Sequence, residues 1–155
     1  MLAQGKSIVG SQSSLEGDPA MRAFLRFNQG LLSMPPPWQA WLLALVSANL
    51  IAPLFFLGRV EAQVAVAALV VSMVLMTILT GRFGFSRILG LGHIIAWVPL
   101  LAFLWSRLPD APIDNAFGLW LRAVIALDAA SLVIDVVDVV RFLAGDRAET
   151  VPGQG

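Results

Sequence analysis

Apolar positions follow two regimes along this chain. Over residues 20–34 (AMRAFLRFNQGLLSM), Arg22, Arg26, Gln29 and Ser33 fall on one arc at helical spacing, while Met21, Phe24, Leu25, Phe27, Leu31 and Leu32 fill most of the rest. That pattern predicts a short amphipathic helix. It either lies in a membrane interface, with Arg22 and Arg26 on lipid headgroups, or packs on the end of the molecule. Pro35, Pro36 and Pro37 close it, because proline supplies no N–H and keeps its predecessor out of the helical region.

From residue 38 the apolar residues run almost without interruption, and four stretches reach spanning length: residues 38–57, 62–80, 87–105 and 117–143. About 20 apolar residues cross a ~30 Å hydrocarbon core. The links between them are short, so neighbours must run antiparallel. The expected fold is an all-α integral membrane protein, with four transmembrane helices in an up-down-up-down bundle over residues 35–145, preceded by the amphipathic helix. The polar stretches 1–19 and 146–155 are expected to be disordered tails. No apolar core of signal-peptide type precedes residue 38, so the first span is expected to act as an uncleaved anchor.

Cation placement sets the expected orientation. Lys6, Arg22, Arg26, Arg82, Arg87, Arg141 and Arg147 fall on one side, and Arg59, Arg107 and Arg122 on the other, seven against three. By the positive-inside rule both termini face the cytoplasm, and the expected location is the inner membrane of a bacterium. Trp38 and Trp41 mark the inner interface in this reading, and Trp105 and Trp120 the outer one. Ala40, Ala44, Ala48 and Ala52 recur every four residues on the first span and predict close helix packing, within the chain rather than between copies. Pro53 and Pro99 are expected to bend their helices.

Composition agrees with lipid as the outer solvent. Hydrophobic residues make up 58% and charged residues 13% of 155, with zero formal net charge. Soluble domains average about 25% charged. A neutral chain offers no electrostatic reason to bind nucleic acid. With no cysteine and one histidine, disulfides, thiolate chemistry, cysteine zinc sites and bis-histidine haem within one chain are excluded. No metal and no cofactor are expected, and no catalytic nucleophile–base pair stands out.

The last span is apolar yet carries Asp128, Ser131, Asp135 and Asp138, which share an arc of about 80° at 100° per residue. An ionised Asp at a span's centre costs ~2.5–3.5 kcal/mol on insertion scales, so the stripe must turn inward toward partners. Asn49 of the first span lies at the depth of Asp128, and His93 of the third at the depth of Asp135, with Thr77 of the second at a similar level. Asp138 sits near the headgroups and is a candidate to pair with Arg141, three residues on; Arg82 and Arg87 can reach Asp135 or Asp138 from the same end.

Two functional classes follow. One is a non-enzymatic accessory or assembly subunit, its partner a larger membrane protein or a second copy, with the carboxylates as a satisfied seam that fixes helix register. The other is a small proton- or cation-coupled transporter or channel subunit, with Asp128, Asp135, His93 and Asn49 as the relay. A solvated cavity at Asp128 and Asp135 argues for transport, and a sealed hydrogen-bonded pair for scaffolding. A third class, an enzyme acting on lipid, requires an open pocket near Asp135 and Asp138.

Overall fold

The computed structural model describes residues 18–147, so most of both expected tails lies outside the described residues. Those residues are helical, with no strands among them. Helix α1 spans Pro19–Leu32. Asp18 caps it by accepting the Ala20 N–H at 2.9 Å, and Pro19 takes the first turn, where its missing donor is harmless. Both residues were expected in the tail and belong to the helix.

Helix α2 runs Pro36–Phe56. The triple proline that stops α1 also starts α2, since Pro36 and Pro37 occupy positions whose N–H groups have no intrahelical acceptor. The helix is regular to Val46, widens to a π-helical turn over Ser47–Ile51, and tightens to 3-10 geometry over Ala52–Phe56. Pro53 explains the change. It cannot donate to the ladder, and the backbone makes room for its ring by shifting the bond of Ala52 N–H to the Ser47 carbonyl.

Helix α3 spans Val60–Phe83 and ends at Gly84, whose φ of 68° an L side chain disfavours. A 3-10 turn, Arg87–Leu89, leads into α4, Gly90–Arg107. Another, Leu108–Asp110, precedes α5, Ala116–Leu143, capped by Asn115 accepting the Gly118 N–H at 2.8 Å. Among the described residues, three helical stretches are long and apolar enough to cross a membrane: Pro36–Phe56, Val60–Phe83 and Arg87–Asp110. Helix α5 has 28 residues and carries Arg122, Asp128, Asp135, Asp138 and Arg141 along its length.

Sequential helices run antiparallel, α3 against α4 and α4 against α5, with α2 touching α3 and α5. Glycine sets two of these contacts. A Cβ on Gly90 would sit 2.9 Å from the Asp135 carbonyl oxygen and 3.0 Å from its Cα, so α4 and α5 meet backbone to backbone there. A Cβ on Gly92 would meet Met76 Cγ at 2.7 Å. On α5 the small residues Ala126 and Ala130 face outward. On α2 the alanine ladder is split: Ala48 is buried and Ala52 packs on the core, but Ala40 is exposed.

The molecule therefore has two unlike halves. Far from the termini, Ala62, Ala65, Leu104, Leu121 and Val124 are wholly buried and form a tight apolar plug. Trp120, expected at a membrane interface, is buried in this half. Its indole N–H donates to the Ala48 carbonyl at 2.8 Å, an acceptor within the π-helical turn, and its ring stacks on Phe56. At the other end α1 lies across α3, with Phe27 buried against Phe85 and Gly30 under the Phe85 ring. Of the apolar residues of α1, Phe27 turns inward, while Met21, Phe24, Leu25 and Leu32 stay exposed. The helix thus packs on the molecule and still presents apolar surface outward.

Candidate functional site

The carboxylates of α5 all find partners from other segments, at three successive levels. Deepest is Asp128, 0% exposed, which accepts the Asn49 side-chain N–H at 2.7 Å through Oδ1. Asn49 also donates to the Leu45 carbonyl at 3.2 Å, which ties the pair to α2 just before its π-helical turn. The outward projection of Asp128 that would have contradicted an inward-facing stripe does not occur.

One level nearer the termini, His93 Nδ1 lies 3.1 and 3.2 Å from the two Asp135 oxygens. Ser131 donates to Asp135 at 3.3 Å. The imidazole stacks on Trp97, centroids 4.2 Å apart and planes 20° apart, which fixes the ring orientation. Gly90 brings the α5 backbone close enough for this contact, since any side chain there would hold α4 away from Asp135.

At the terminal end Arg87 bonds Asp138 at 2.8 Å through Nη1 and Asp146 at 3.0 Å through Nε. The expected Asp138–Arg141 pair is not formed. Arg141 points outward from the stripe and bonds Asp146 at 3.1 Å, while the cation from the neighbouring helix takes Asp138. Asp146, expected in the tail, is thereby held by two arginines. Arg82 is exposed and makes no ion pair among the described residues, and Thr77 donates to the Met73 carbonyl of its own helix rather than joining the column. Arg22 and Arg26 are both exposed on α1.

Beside the two upper levels lies a cavity of about 520 Å³. Arg87, His93, Ser131, Asp135 and Asp138 form its polar wall, and Trp38, Trp41, Leu42, Leu45 and Met73 its apolar one. It exists because the first half of α2 stands off from α3, the same half on which Ala40 is exposed. Asn49 and Asp128 are not among its lining, so the deepest pair is sealed while the two upper ones border open space.

Several buried polar atoms have no hydrogen-bond partner among the described residues: Asn49 Oδ1, Asp128 Oδ2, Ser72 Oγ, Trp97 Nε1 and Ser86 Oγ. The last belongs to a residue of the cavity wall. Among the described residues no group of His, Asp and Glu has the arrangement of a metal site. His93 Nε2 has no hydroxyl partner among them either, so the His93–Asp135 pair, though arranged like the orienting half of a catalytic triad, has no nucleophile on it.

Sequence reasoning missed Trp97, Ser86 and Asp146. Trp97 was legible as the residue four positions after His93 on the same helical face. Ser86 carries no such signal, because its placement follows the Gly84 turn, whose carbonyl accepts its N–H. Comparison of the chain with protein-family models, with curated proteins and with solved structures gives no match.

Proposed function

We propose that this chain is a small multi-pass membrane protein of accessory or assembly type, which binds rather than transforms, and that α5 is its fourth crossing. Support for the fourth crossing comes from Arg87 and Asp146. If α4 crosses from the Arg87 end, α5 must return through the same thickness for Asp146 to reach Arg87 at 3.0 Å. At 28 residues, α5 is about 42 Å long, ample for that return. Both termini then share one face, the cytoplasmic one by the distribution of Lys and Arg.

The observation that carries the binding reading is the contrast between the halves: a polar column that stops at the sealed Asn49–Asp128 pair, backed by the apolar plug of Leu104, Leu121 and Val124. A charge moving through that plug would meet the full cost of an unpaired ion in hydrocarbon. The accessory reading is tested by solubilising the protein from its native membrane in mild detergents. Recovery in fixed stoichiometry with one larger integral membrane protein is expected; the lone chain in every detergent would refute it.

Transport of protons or a cation is the second reading, favoured by the ladder Asp138, Asp135, His93 and Asp128. Purified protein in liposomes decides it. The binding reading expects no flux above empty vesicles. Flux that Asp128→Asn abolishes would establish the relay in its place.

A further inference from the structure

We infer that the 520 Å³ cavity seats one phospholipid with a primary-amine headgroup, drawn from the leaflet at the terminal end. This rests on the membrane reading above. The amine bonds Asp135 and Asp138, the phosphate meets Arg87 and Ser86, and the hydrocarbon lies on the apolar wall of α2.

The space fits the headgroup end of such an occupant, with the rest of its chains left in the surrounding leaflet. Small-molecule sites run about 300–1,000 Å³. The cavity reaches from Ser86 to Trp97, which are eleven residues apart along α4 and its lead-in turn. That is roughly 17 Å of helix rise, a little over half of a ~30 Å hydrocarbon core and so about the depth of one leaflet. Polarity divides the space from wall to wall: Arg87, His93, Asp135 and Asp138 stand on one side, and Trp41, Leu45 and Met73 on the facing one. An amphiphile meets both walls at once, its headgroup on the carboxylates and its hydrocarbon on the apolar side.

Charge selects the headgroup. The wall holds two carboxylates, Asp135 and Asp138, against the guanidinium of Arg87 and the imidazole of His93. Asp138 uses only Oδ1 for Arg87, so Oδ2 keeps an acceptor without a protein partner among the described residues. A primary ammonium brings three donors to such oxygens. A trimethylammonium brings none, and an anionic glycerol headgroup brings a net negative charge to an acidic wall. Ser86 is 2% exposed with its hydroxyl unpartnered, a buried donor beside Arg87 where the phosphate falls. Charge-assisted bonds to phosphate are the strong kind, and Arg87, whose Nη1 and Nε hold Asp138 and Asp146, has Nη2 left to make one.

The test takes the full-length protein from its membrane in mild detergent and weighs the intact complex by native mass spectrometry. One retained phosphatidylethanolamine per chain is expected. Delipidated protein is then titrated with phosphatidylethanolamine, phosphatidylcholine and phosphatidylglycerol of equal chain length. The ethanolamine lipid should bind about tenfold tighter than either of the others, the size of one charge-assisted hydrogen bond. Asp138→Asn should erase that preference, with Arg87 still held by Asp146. Ser86→Ala, which touches no ion pair, should weaken all three lipids alike, and it carries the test if Asp138→Asn fails to fold. Equal affinity for the three, no bound lipid, or a transmembrane peptide filling the site overturns the inference. If alkaline carbonate strips the protein from the membrane, the membrane reading itself fails; resistance to carbonate without lipid preference overturns the inference alone.

Discussion

Asn49 and Asp128 are 79 positions apart in sequence and share a 2.7 Å hydrogen bond in the closed interior, where neither side chain meets solvent. The bond joins α2 to α5, the first and last of the long helices. It fixes their depth relative to each other, because one turn of slippage would bring Asp128 opposite Leu45.

That pairing sets a sharp expectation for stability. Asn49→Leu strands a buried carboxyl group and should cost about 1–3 kcal/mol, the penalty of a buried polar group left unpaired. Asp128→Leu leaves only a buried amide and should cost less. The double variant removes both polar groups and should recover most of the loss, as buried polar pairs often do when replaced by apolar ones. Thermal unfolding of the four proteins in detergent gives the coupling energy directly. Additive losses would mean that the two side chains do not interact.

How much of this was readable beforehand depends on depth rather than on chemistry. The levels of Asn49, Asp128, His93 and Asp135 followed from counting residues from the helix ends, because rise per residue is fixed. Helix rotation and lean are not fixed by counting. Those depend on Gly90, Gly92 and the Pro53 distortion, and they decided that Asp138 meets Arg87 instead of Arg141. The cavity was equally illegible, since it arises from the stand-off of one half of α2, a helix whose apolar residues surround it on all sides. Trp120 misled for a related reason: its place near a helix end suggests an interface, but the freed backbone near Pro53 draws its N–H inward.

The glycine contact at position 90 should be the less forgiving of the two on α4. Gly90→Ala drives a methyl into the Asp135 backbone at 2.9–3.0 Å, where nothing can rotate away. Gly92→Ala meets Met76 Cγ first, at 2.7 Å, a side chain that can turn, with the Met76 nitrogen and the Ser72 carbonyl oxygen farther off at 3.3 Å. Overpacking typically costs 1–3 kcal/mol, and Gly90→Ala should lie at about the upper end of that range, with Gly92→Ala well below. Thermal midpoints rank them. The reverse order would show that the α4–α5 contact is looser than the distances imply.

Trp120 offers a test of the π-helical turn in α2. Trp120→Phe keeps an aromatic ring against Phe56 but deletes the donor to the Ala48 carbonyl. A buried carbonyl without its partner should lower stability by about 1–3 kcal/mol. In the Pro53→Ala background the helix regains an N–H and can return to regular geometry, so the added loss from Trp120→Phe should shrink. An unchanged loss in both backgrounds would separate the indole bond from the proline distortion.

Arg87 closes the terminal end by holding Asp138 and Asp146 at once, and all three side chains are partly exposed. Such pairs contribute modestly, about 0–1 kcal/mol each, so Arg87→Gln should barely shift global stability. Its effect should be local. Asp146 would keep only Arg141, on its own segment, and the end of α5 would lose its tie to α4. Hydrogen exchange at residues 142–147 should speed up while that of α3 stays unchanged. Raising salt on the unaltered protein should mimic the change in part, because exposed pairs are screened. Faster exchange throughout the molecule would instead make Arg87 a keystone of the whole fold.

The number of crossings can be read with thiol labelling, for which a chain without cysteine is well suited. Single substitutions Ser33→Cys, Gly58→Cys, Gly84→Cys and Asp114→Cys sample the links between the long helices. With four crossings, positions 58 and 114 label from one side of sealed vesicles, and 33 and 84 from the other. The decisive site is Arg147, just beyond α5. If α5 crosses, Arg147→Cys labels with Ser33 and Gly84, on the face where Asp146 reaches Arg87. Labelling with Asp114 would leave α5 on one side of the membrane. The ion pair at 3.0 Å would then be impossible with α4 inserted, and with it the whole polar column would lose its place inside the protein.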